Sequence, residues 1–75
     1  MSMALMAAYM RMRPAEQEAY REHQRRIQAK DRNKRRRAVR EYRTWLDYLV
    51  SVGRITPGEA TEMEHYRIAI RNSQF

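Results

Sequence analysis

Five arginines recur along the middle of this chain at intervals of 4, 7, 4 and 7: Arg21, Arg25, Arg32, Arg36 and Arg43. On an ideal helix that spacing gathers them into an arc of roughly 60°. Arg40 flanks the row on one side and Arg35 on the other. Residues 21–43 hold eleven Lys or Arg against Glu22, Asp31 and Glu41, a net charge of +8. Residues 1–20 are neutral, and residues 44–75 carry a net −1, so the chain's total of +7 comes from one central block. Nine of the eleven cations are arginine, whose planar fork suits bidentate phosphate contacts and stacking on bases. The competing view treats the row as the solvated back of an amphipathic helix. Ordinary solvated faces, however, mix signs through i to i+4 pairs, whereas five arginines in one row repel one another. A polyanion is the expected counterpart.

Other side chains offer little chemistry. His23 and His65 stand alone on separate segments, without a second histidine at ligand spacing, and both are expected on the surface. Glu59, Glu62 and Glu64 fall in the first turns of a helix, where the macrodipole accounts for them. There is no Gly-rich phosphate loop, nucleophile motif or triad, and no cysteine. The expectation is a binding protein without cofactor or metal, and not an enzyme. Absence of cysteine fits a reducing, intracellular setting.

Apolar residues form a second theme. Trp45 belongs by spacing to the core. Met3, Met6 and Met10 in the first segment, with Tyr48, Ile68 and Phe75 further on, exceed what a small helical core hides. They are candidates for contact with another protein or a second copy of the chain.

The elements that must position these groups are all helical: two Gly and two Pro among 75 residues, with abundant Ala, Arg, Glu, Gln and Met. Ser2 is placed to cap a short apolar helix that ends where Pro14 disfavours helical geometry at Arg13. No Gly or Pro follows until Gly53. Residues 14–53 therefore read as one long Arg-rich helix on the order of 60 Å. Two helices hinged near 31–34, at Asp31 and Asn33, are the alternative. Tyr20, Ile27, Ala38, Tyr42, Trp45, Leu49 and Val52 form the long helix's apolar seam, while Val39, Leu46 and Val50 fall toward the basic side. Thr56-Pro57-Gly58-Glu59 is a capping box with proline at the first helical position, opening a helix over 56–72. Its seam is Ala60, Met63, Tyr66 and Ile70. The short connection implies an antiparallel helical hairpin, with Met3, Leu5, Met6 and Met10 closing over it.

On these grounds the chain is a small all-α protein that meets DNA or RNA, or a ribonucleoprotein, mainly at phosphates. The alternative is a protein-interaction module or assembly subunit of phage-type size and charge. It would dock an acidic surface of a polymerase, ribosome or virion. Membrane attachment is disfavoured because the first segment, though apolar, lacks a polar face. A mitochondrial presequence is also disfavoured.

Overall fold

Asp31 is where the chain turns back on itself. Its carboxylate accepts from the amides of Asn33 at 2.8 Å and Lys34 at 3.0 Å, which caps a new helix instead of continuing the old one. In the computed structural model, which describes residues 3–73 and the side chains of 3 and 5–65, the elements are four helices. They are α1 (Met3–Arg11), α2 (Pro14–Ile27), α3 (Arg32–Ser51) and α4 (Pro57–Ser73). They pack as an all-α bundle.

The continuous helix expected over 14–53 is therefore replaced by two, and the bundle's longest extent is 32 Å. The physical reason lies in both halves of the turn. The carbonyls of Ala29 and Lys30, in the turn that follows α2, accept from the Arg35 guanidinium at 2.9 and 2.6 Å. Amides orphaned at the start of α3 go to Asp31. With its backbone groups satisfied, the chain gains the contact a straight helix forgoes: Ile27 on α2 and Ala38, Tyr42 and Leu49 on α3 become buried. Each large apolar side chain so buried contributes about 1.5–3 kcal/mol. Contacts run in opposite senses along the two helices, Tyr20 meeting Trp45 and His23 meeting Tyr42.

The arc that α3 buries differs from the expected seam. Leu46, read as pointing toward the basic side, is buried, and Val39 and Val50 are half-buried beside it; Val52, read as seam, is 48% exposed. α3 packs on both α2 and α4, so it hides a wider stripe than a two-helix contact would. Tyr42 is fully enclosed, and its hydroxyl donates to the Met63 carbonyl on α4 at 3.3 Å.

The two ends of this framework follow local rules. Gly53, at φ 74°, closes α3 with a Schellman motif. Its amide donates to Val50 at 3.0 Å, and that of Arg54 to Leu49 at 2.9 Å. Thr56 and Glu59 complete the reciprocal box, Thr56 N donating to Glu59 Oε1 at 2.8 Å and Glu59 N to Thr56 Oγ1 at 3.1 Å. The break at Pro14 is as expected, and the Arg13 amide donates to Glu16 at 2.9 Å. α1 contributes Leu5 and Ala8 to the core, and Met12 just after it adds a third side chain, whereas Met3, Met6 and Met10, expected to close over that core, face outward. The expected cap Ser2 lies outside the described residues.

Candidate polyanion-binding surface

The charged side chains sort into two populations. Through the body of the bundle, cations meet carboxylates from other helices. Arg11 pairs with Glu59, Arg43 with Glu64, and Arg54 with Glu16 at 2.9 Å. On α2, Arg25 and Arg26 both pair with Glu22, and Arg26 reaches across to Glu41 at 3.5 Å. The pairings leave their mark on the acids. Arg11, and then the Thr56 amide, hold Glu59 below its ordinary range. Partial burial pushes Glu16 up, but the Arg13 amide and the Arg54 guanidinium outweigh it and leave it low.

At the α2–α3 turn the pattern changes. Lys30, Arg32, Lys34, Arg36, Arg37 and Arg40 are exposed, and none has an ion pair or side-chain hydrogen bond among the described residues. Among the described side chains, Arg13 is another cation without an ion pair, and it lies at the opposite end of α2. At 100° per residue, Arg32, Arg36, Arg40, Arg37 and Lys34 fan across about 200° of α3, the whole exposed side of its first turns. The first turn of α3 carries no acid. Three positive groups there add to the positive end of the helix, a placement that costs stability. Asp31 offsets part of it; the Lys34 amide, despite partial desolvation, holds its carboxyl below the ordinary value.

The structure therefore separates the seven arginines singled out by spacing. Arg32, Arg36 and Arg40 lie together on α3 with no counter-charge. Arg43 shares their side of the helix but is tied to Glu64. Arg35 is turned inward on the Ala29 and Lys30 carbonyls of the turn. Arg21 donates to the Tyr9 hydroxyl at 2.6 Å, and Arg25 is tied to Glu22 on the other side of the turn. Lys30, Lys34 and Arg37 were missed because a single straight helix puts them off the row. The charge run over 28–37 was the signal for them.

Beside this fan, Arg26, Ala29, Lys34, Arg37, Ala38 and Glu41 line a cleft of about 320 Å³ between α2 and α3. Further along the contact between α2 and α3 lies an aromatic cluster. His23, expected on the surface, has its ring 5.0 Å from Trp45 and 5.8 Å from Tyr42, with Nδ1 enclosed and without a partner. The antiparallel return of α2 onto α3 covers it. Burial and the nearby Arg26 push His23 below its ordinary value, against the opposing pull of Glu41 and Glu22. Trp45 is half-buried in the same cluster, and His65 is exposed.

Of the apolar contact candidates, Met3, Met6, Met10 and Tyr48 are exposed; Ile68 and Phe75 fall outside the described side chains. Among the described residues no group of His, Asp or Glu is placed to hold a metal ion, and no helix is long and apolar enough to cross a membrane. No protein-family model, curated protein or solved structure matches the chain.

Proposed function

We propose that this protein binds nucleic acid through the phosphate backbone, using the cation fan at the α2–α3 turn, and acts by binding rather than catalysis. The observation that carries this reading is the sorting of charge: among the described residues, glutamates pair with the arginines of the body, while six neighbouring cations at one end have no ion pair, Lys34 alone feeling the charge of Asp31. Leaving them so is unfavourable for the free protein, and a polyanion relieves it. Four of the six are arginines, suited to forked phosphate contacts. Backbone contacts of this kind carry affinity and little sequence preference.

The experiment is a titration of duplex DNA at several salt concentrations. With all six cations engaged, log Kobs against log salt falls with a slope of about −5. A flat line removes the proposal.

A second reading draws on α1. Met3, Met6 and Met10 are 86%, 52% and 75% exposed. They share an arc of roughly 60° on the side opposite Leu5, Ala8 and Met12. An adaptable methionine face of this kind suits contact with an apolar protein groove, which makes the chain an assembly subunit. Stoichiometric co-purification with one protein complex, without nucleic acid, would favour this reading over the first.

A further inference from the structure

The cleft between α2 and α3 is built differently from the fan beside it. Its apolar part, the floor, is two alanines: Ala29, half-buried, follows α2, and Ala38, only 3% exposed, sits in the buried stripe of α3. Its rim is polar and mixed. Lys34 and Arg37 stand on α3 without ion pairs. Arg26, from α2, is fixed at the rim by Glu22 at 3.1 Å and Glu41 at 3.5 Å. Three cations and one carboxylate surround two methyl groups in about 320 Å³, the lower end of the roughly 300–1,000 Å³ typical of ligand clefts. A site for phosphate alone needs neither the apolar floor nor the acceptor.

We infer that this cleft seats one unpaired nucleotide of a single-stranded nucleic acid. The base lies on the alanine floor against the Arg26 guanidinium plane, its phosphate meets Lys34 and Arg37, and Glu41 accepts from an N–H on the base edge. Each group matches one part of a nucleotide: a flat apolar face, an anion and a donor edge. A base in a duplex keeps its face stacked and its Watson–Crick donors paired, so only a single strand, loop or end fills the cleft. The inference rests on the nucleic-acid reading above and narrows it to unpaired strands.

Binding by charge alone favours the duplex, whose charge density along its axis is higher. The test compares a short mixed-sequence single strand with the blunt duplex of the same sequence, for the full chain and for Ala29→Leu and Ala29→Met. Residue 29 has no positive φ, so its backbone accepts a larger side chain, and the carbonyl used by Arg35 is retained. Circular dichroism checks that the helices persist. The cleft predicts that the wild type binds the single strand about ten-fold tighter than the duplex, and that both variants lose this preference while still binding duplex. A wild type that prefers the duplex, or filled variants that keep the preference, overturns the cleft and leaves backbone binding standing. No binding to either strand form at low salt overturns both.

Discussion

The body of the bundle and the α2–α3 turn are made from the same residue types and end in opposite electrostatic conditions. In the body, Arg11, Arg43 and Arg54 each find a glutamate on another helix, and an aromatic cluster of Tyr20, His23, Tyr42 and Trp45 sits beneath. At the turn, capping is satisfied by Asp31 and Arg35, yet Arg32, Arg36, Arg37 and Arg40 are left facing solvent. Helix caps form in both places. Among the described residues, most cations without an ion pair cluster at the turn, with Arg13 alone at the other end of α2. The difference teaches that capping accounts for the fold of the turn but not for its charge.

The comparison breaks most severely if the body does not behave as a packed core. Leu49 is fully enclosed, and Leu49→Ala is expected to cost about 2–5 kcal/mol, enough to unfold so small a domain. Chemical denaturation followed by circular dichroism measures it. A loss no larger than that of a surface substitution would put Leu49 outside the core.

Acid probes the body more gently. His23 has a folded-state value below its ordinary 6.5, so the unfolded chain takes up its proton first. Stability is complete above that pH and declines as pH falls through 6.5, until the folded form is protonated too. Glu16 and Glu59, both held below 4.5, contribute stability that is present above that value and lost as pH falls through their lowered values. Melting temperature against pH is expected to fall in two stages. His23→Phe, which keeps a ring in the cluster, should remove the upper stage and leave the lower one. Persistence of the upper stage in that variant would assign it to another group.

A smaller effect tests the end of α3. Gly53→Ala meets no atom within 4 Å but forces a side chain into a left-handed conformation. It is expected to cost about 1–2 kcal/mol in thermal unfolding.

Much of this was legible in the residues, and the reasons are local. Pro14, Gly53 and the Thr56–Glu59 box act within four residues of themselves, and each marks a boundary that the fold keeps. The apolar spacing of Ile27, Ala38, Tyr42 and Leu49 named four core residues. What sequence left open was tertiary. Asp31 is equally compatible with a weak point in a long helix and with an N-cap. The cap forms because the return packs α2 on α3, a contact no local pattern announces. From that one choice follow the half-burial of His23, the cleft at Ala29 and the conversion of a straight arginine row into a fan, while the burial of Leu46 reflects packing of α3 on both α2 and α4. The pairing of Arg43 with Glu64 likewise depends on where α4 lies.

The central claim is that position, not charge alone, makes the turn the binding surface. Arg36 and Arg13 are both exposed and both lack an ion pair, yet Arg13 sits at the other end of α2, about 20 Å away along a 14-residue helix. The direct measurement is the affinity of Arg36→Glu and Arg13→Glu for the same single strand at about 0.1 M salt, where the Debye length of about 10 Å is shorter than that separation. The two substitutions change net charge equally. Arg36→Glu is expected to weaken binding by about ten-fold or more, and Arg13→Glu by less than about two-fold. Equal losses in the two variants, or a loss confined to Arg13→Glu, would contradict the account.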